Sequence, residues 1–230
     1  LQAFPSLRFL HRNFLAQVTH RCLNSYYRTL RNETVTSRSL RLQTAELACR
    51  LIPTALQNEP VFLSVDDTTV PKFGKKFDAV SLLHDHACHT GKPYVNGHCF
   101  VSLTLSVPVL NQHEGKAPLI RYLAVPVGYR MWTKEQTKLE LAGDLIEEVM
   151  PLLKDRQVLL FFDSWYAKST LIERVLQYPH LAFICNVRSD SAIYELPPLP
   201  NGKPGRPKKR GKRIHLAPGG FSSVPWPLVI

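Results

Sequence analysis

Two short apolar runs, each broken by aspartate, constrain this chain most. Val61-Phe62-Leu63-Ser64-Val65 leads into Asp66-Asp67-Thr68-Thr69, and Val158-Leu159-Leu160-Phe161-Phe162 leads into Asp163. Runs of this length, apolar and β-branched or aromatic, read as buried strands. Between them, residues 97–109 alternate into a second strand through Phe100, Val101, Leu103, Leu105 and Val107, and residues 119–127 read as a third. Residues 133–150 give the clearest helix, with Leu139, Ala142, Leu145, Ile146 and Val149 on one face, and Thr133 with Gln136 fits a capping box. A second helix at 167–177 and a fifth strand at 181–187 follow, whereas 71–89 is irregular and polar.

The order is therefore strand, strand, strand, helix, strand, helix, strand. Three strands with no helix between them form an antiparallel meander, and the long helix is the crossover that a parallel fourth strand requires. This is the order of a ribonuclease-H-like α/β fold: a mixed five-stranded sheet flanked by helices, carrying an N-terminal helical segment and a basic C-terminal tail. Residues 1–58 are expected to be the Arg-rich helical segment, 59–200 the core, and 201–230 the basic tail with the start of an insertion.

The chain has 230 residues, 44% of them hydrophobic, enough to bury one sizeable core. No apolar run approaches the roughly 20 residues that span a bilayer, and the first twelve residues hold no block of signal-peptide length. The first residue is Leu1 rather than Met, which suits a fragment. Five cysteines without a C-x-x-C pair argue against a secreted disulfide framework and for a reducing cytosol. The net charge of +11 is uneven. Residues 1–60 carry eight Arg, no Lys and three Glu; residues 61–202 carry fourteen basic and fifteen acidic side chains; residues 203–213 carry seven basic side chains and no acid. A near-neutral core between two cationic segments suits a polyanion, most simply a nucleic acid.

In this strand order the first and fourth strands are neighbours at the sheet centre. Carboxylates at their ends then converge, although 96 residues separate Asp67 from Asp163. Two such groups repel until a divalent cation sits between them, and hard cations take oxygen donors. With Mg²⁺ or Mn²⁺ the pair suits in-line attack on a phosphodiester. Taken singly, either aspartate is more simply a loop or cap residue, and Asp163-Ser164 could cap the next helix. Asp66 competes with Asp67, and strand alternation puts the two on opposite faces, so one of them is the ligand.

At these residues the sequence resembles the DDE transposases of bacterial insertion sequences. The resemblance is carried by V-D-D-T-T-V-P-K-F-G-K-K at 65–76, Y-V-N-G-H-C-F-V-S-L at 94–103, L-L-F-F-D-S-W-Y-A-K at 159–168 and the basic G-K-P-G-R-P-K-K-R-G at 202–211. It implies that Asp67 is the first catalytic and metal-binding aspartate and Asp163 the second. It further implies Mg²⁺- or Mn²⁺-dependent cleavage and transfer of DNA strands during transposition. Transposon ends and target DNA would be the partners, with a homodimer on DNA, no membrane, and a cytoplasmic, nucleoid-associated place in a bacterium. The family's third acid, a glutamate in a Tyr-x-x-Arg-x-x-x-Glu setting, has no counterpart here, so the chain is expected to stop before it. A catalytically dead DNA-binding fragment and a ribonuclease-H-like nuclease are the rival readings.

Lys72, Lys75, Lys76 and Arg188 are candidate phosphate contacts near the acids, and Lys203, Arg206, Lys208, Lys209, Arg210, Lys212 and Arg213 in the tail. Gly205-Arg206-Pro207 has the look of an AT-hook, though a sequence-blind phosphate clamp is the simpler reading. His84, Asp85, His86, Cys88 and His89, with His98 and Cys99, crowd together without standard zinc spacing and are read as polar loop residues. Trp165 and Tyr166 either stack on an extruded base or join the core.

Overall fold

A computed structural model describes residues 6–32, 34–74, 77–84, 91, 93–111, 119–186, 193–195, 197–198 and 208–214. The central sheet is built from β1 (Val61–Pro71), β2 (Ser81–His84), β3 (Tyr94–Asn111), β4 (Leu119–Met131), β5 (Val158–Phe162) and β6 (Leu181–Cys185). β1 pairs antiparallel with β3 and parallel with β5, which in turn pairs parallel with β6. β3 takes β4 along Phe100–Asn111, and β2 pairs with its first residues, both on the edge away from β1. The meander, the crossover and the central β1–β5 pair agree with the order read from the sequence, and the mixed sheet flanked by helices is a ribonuclease-H-like fold.

The sheet has six strands, one more than expected. β2 lies inside the polar stretch 71–89, where alternation is too short to register, but Ser81 and Leu83 are buried against β3. At Gly97, β3 is paired to β1 and β2 at once, to Pro71 and to Ser81. A Cβ there would meet the Val70 carbonyl oxygen at 2.5 Å, so the close approach of β1 requires glycine.

Short helices α1 (Leu7–Leu10) and α2 (Ala16–Val18) flank a π-helical stretch at His11–Leu15, and α3 (Leu23–Leu30) follows. α4 (Ser37–Arg50), α5 (Lys138–Val149) and α6 (Ser169–Val175) build the core with the sheet. Odd-numbered residues of β1 (Val61, Leu63, Val65) meet Val101, Leu103 and Leu105 of β3 and Val158 and Leu160 of β5, all nearly inaccessible. Leu141, Ala142, Leu145, Ile146 and Val149 of α5 and Ala45 and Ala48 of α4 close over this face. The capping box of α5 is Thr137 with Glu140, four residues past the expected Thr133 and Gln136: the Glu140 amide donates to Thr137 Oγ1 at 3.2 Å and the Thr137 amide to Glu140 Oε2 at 2.7 Å. Both pairs fit the spacing rule, and the apolar face that must reach the core selects the later one.

Ion pairs tie the helices together. Glu148 of α5 accepts from Arg41 of α4 at 2.7 Å and from Arg130 of β4 at 2.6 Å. Arg174 of α6 donates to Glu147 at 2.6 Å and Asp144 at 2.7 Å, and these bonds hold its guanidinium pKa above the ordinary range against the opposing effect of burial. Gly143 leaves the space through which Arg174 passes, since a Cβ there would collide with the guanidinium.

Candidate active site

The strand containing the first acid is longer than its apolar run suggests. β1 continues through Asp66 and Asp67 to Pro71 because its partner on β3 continues opposite it, Asp67 pairing with Val101 and Pro71 with Gly97. Alternation therefore acts on the aspartates themselves. Asp67 falls on the face of Val61, Leu63 and Val65, beneath α5, and Asp66 on the other. Asp66 is exposed and accepts the Asp67 amide at 2.8 Å. The Asp67 side chain is 23% accessible and is held by three donors. Lys138 Nζ donates to Oδ2 at 2.7 Å, Cys99 Sγ to the same oxygen at 3.3 Å, and the Tyr166 hydroxyl to Oδ1 at 3.3 Å.

Asp163 follows directly on β5. Its Oδ1 accepts the backbone N–H of Trp165 at 3.0 Å and of Tyr166 at 3.3 Å, which fixes a tight turn. Asp163 does not cap the helix that follows; α6 starts later, and Lys168 stands at its N-cap without a side-chain bond. The turn makes Tyr166 the link between the two acids: its amide is bonded to Asp163 and its hydroxyl to Asp67. Tyr166 is fully buried, so it does not stack on a base; it joins the core, the plainer of its two readings. Trp165 is 45% exposed, and its ring lies 5.3 Å from Lys138 Nζ.

The charges around Asp67 are consistent with donation to it. Burial works against the Lys138 ammonium, but the hydrogen bond and charge of Asp67 outweigh it and its pKa is raised. The Cys99 thiol is pushed up to about 11, first by burial and then by the Asp67 charge, against the opposing pull of Lys138. Burial and the same carboxylate raise the Tyr166 phenol. Near neutral pH all three are protonated donors. Lys138 is the first residue of α5, where the positive end of the helix dipole disfavours a cation. That mismatch, in a helix start four residues from its expected place, is the sequence signal by which Lys138 could have been found. Cys99, read from the sequence as a polar loop residue, is instead buried in β3 because it alternates with the core residues of that strand, and Tyr166 carries no comparable signal.

Lys72 bonds to β3 through its amide, and its ammonium lies 5.7 Å from the Phe77 ring. Lys208, Lys209, Arg210, Lys212 and Arg213 are exposed, and Arg210 lies over Tyr194 at 4.9 Å. Arg213 opens β8 (Arg213–Ile214), which pairs with β7 (Ile193–Tyr194) as a separate two-stranded sheet. This part of the tail thus folds back on the chain. Lys75, Lys76, Arg188, Lys203 and Arg206 lie outside the described residues, as do Asp85, His86, Cys88 and His89. His98 bonds to the Asp78 carbonyl at 2.8 Å while Cys99 turns to Asp67.

Among the described residues no group of three or more His, Cys, Asp or Glu is placed to hold a metal ion. The donors at Asp67 and Asp163 nonetheless suit Mg²⁺, a hard cation that binds through one or two carboxylates and keeps several waters. No described helix is long and apolar enough to cross a membrane. No curated protein and no solved structure matches the chain. A family model described as DDE superfamily endonuclease matches residues 14–224. That family implies a DNA substrate, and its enzymes generally use divalent metals. With nearly the whole chain inside that match, this protein belongs to the DDE superfamily endonucleases.

Proposed function

We propose that the chain is the strand-cleaving module of an insertion-sequence transposase, with Asp67 and Asp163 as its first two metal-binding acids. The observation that carries this reading is Tyr166, one buried residue bonded by its hydroxyl to Asp67 and by its amide to Asp163. Both acids follow the stretch over which β1 and β5 pair in parallel, which supports the reading. A Mg²⁺ or Mn²⁺ ion held by the two would supply charge neutralisation at the scissile phosphate.

This chain's own residues do the rest. Tyr166 and Cys99 orient the Asp67 carboxylate. Lys138 neutralises Asp67, and its ammonium would be free for a phosphate oxygen if a cation took its place on that carboxylate. Exposed Trp165 offers a stacking surface beside it. Lys72 and the tail cations contribute sequence-blind attraction for the DNA backbone. In this reading the chain acts as a homodimer on transposon ends at the bacterial nucleoid.

The test is nicking of supercoiled plasmid DNA in Mg²⁺ or Mn²⁺. Divalent-dependent nicking that is lost in Asp67→Asn and Asp163→Asn supports the reading. Among the described residues no third acid groups with Asp67 and Asp163, which favours one rival: a DNA-binding protein without cleavage. Salt-sensitive DNA binding with no nicking in either metal would select that rival, and preference for an RNA–DNA hybrid would select a ribonuclease-H-like nuclease.

A further inference from the structure

A second cationic feature lies on the same face of the sheet, in a row with Asp67. Asp67 pairs with Val101 of β3, and Val101 pairs with Arg130 of β4. Partners across a ladder share a face, so Arg130 stands two strands from Asp67, about 10 Å away. There Arg130 meets Arg38 and Arg41 at the start of α4, and together with Glu148 they line an open cavity of about 430 Å³.

The charges in this cavity do not balance. Three guanidiniums line it beside Glu148, the one carboxylate in the lining. Glu148 spends one oxygen on Arg41 and the other on Arg130. Arg38 comes no nearer to it than 3.7 Å, beyond hydrogen-bond reach, and its side chain is 68% accessible. Arg130 Nε is buried and has no partner among the described residues. The N-terminus of α4 adds its positive end to the same opening. Asp144 also contacts Arg130, at 3.4 Å, but its other oxygen is taken by Arg174. Arg41 also donates to Ser37 at 3.2 Å, so the open guanidinium is that of Arg38, and in a concave site it is suited to a phosphate, which arginine binds through two parallel hydrogen bonds.

We infer that Arg38, Arg41 and Arg130 form a binding site for a backbone phosphate of the DNA strand that flanks the one cleaved at Asp67. The inference rests on the endonuclease reading given above. A separation of about 10 Å lies within one or two phosphate steps along a DNA strand, so one strand can occupy both places. Arg41 and Arg130, bonded to Glu148, form the fixed floor of the site, and exposed Arg38 closes on the phosphate.

The experiment is anisotropy of a fluorescein-labelled 20-base-pair duplex, titrated between 50 and 200 mM NaCl without divalent metal. It compares the unaltered chain with Arg38→Ala, Arg38→Glu and a control, Arg50→Ala. Arg50 lies on the same helix, is 71% accessible and is paired to Glu46 away from the cavity. Circular dichroism verifies that each variant folds. Arg38→Ala should weaken binding several-fold and reduce the log–log salt slope by about 1, the loss of one phosphate contact. Arg38→Glu should weaken it further, and Arg50→Ala should change neither quantity. Unchanged affinity and slope in both Arg38 variants, or an equal effect of Arg50→Ala, would overturn the site while leaving the endonuclease reading in place. Failure of the unaltered chain to bind the duplex would overturn both.

Discussion

Replacing Lys138 by methionine separates the two tasks assigned to Asp67. Methionine keeps the length and apolar stem of lysine and removes the ammonium. The lost interaction is a 2.7 Å charge-assisted hydrogen bond between side chains that are 22% and 23% accessible. Exposed ion pairs contribute about 0–1 kcal/mol, and breaking a fully buried pair costs about 3–5 kcal/mol. A pair that is largely covered, whose carboxylate retains two other donors, falls between, at about 2 kcal/mol. For a chain of this size that lowers the melting temperature by about 4–8 °C. The same substitution removes the competitor for Asp67 Oδ2. A divalent cation then need not displace the ion pair, and its affinity should rise by a factor of about 10–30, the equivalent of up to about 2 kcal/mol. Thermal melts and calorimetric titration with MnCl₂ measure both effects. The variant should be less stable without metal and should recover more than the parent when Mn²⁺ is added. A Lys138→Met protein with unchanged melting temperature and unchanged Mn²⁺ affinity would refute the reasoning.

Three other outcomes follow from the same geometry. Gly143→Ala should lower stability by about 1–3 kcal/mol in urea titrations, because the new methyl group displaces the Arg174 guanidinium from Asp144 and Glu147; Arg174→Met combined with it should cost less than the sum of the two. Stability should fall as pH rises from 9 to 11, since Cys99 keeps its proton to about 11 in the folded state while the unfolded thiol ionises near 9; Lys138, whose pKa is also raised, loses its contribution in the same alkaline direction, and Cys99→Ala should flatten the descent. Replacing Lys208, Lys209, Arg210 and Lys212 by alanine should weaken duplex binding and flatten its salt dependence, and an unchanged slope would remove the tail from the DNA path.

The parts of the fold visible in the sequence are those set by local pattern. β1 and β5 were legible because apolar runs break into aspartate. Their adjacency was legible because a helix between β4 and β5 forces a crossover. The placement of Asp67 on the covered face followed from alternation, once β1 was seen to extend past its apolar run. Register across strands was not legible. It takes the β3 pairing to hold β1 in place through Pro71, and the β4 pairing to set Arg130 in the row of Asp67. Lys138 meets Asp67 across 71 residues, through a helix whose true start is decided by packing and not by its capping motif. Cationic tracts drew attention to the tail, while the arginines that share Glu148 are scattered over residues 38–130 and become a cluster only in three dimensions.

The measurement that bears most directly on the account is Mn²⁺ binding followed by electron paramagnetic resonance in the absence of DNA. The unaltered chain should bind Mn²⁺, Asp67→Asn and Asp163→Asn should each lose that binding, and Asp66→Asn, on the opposite face, should retain it. Equal Mn²⁺ binding by all four proteins would contradict the joint metal site at Asp67 and Asp163.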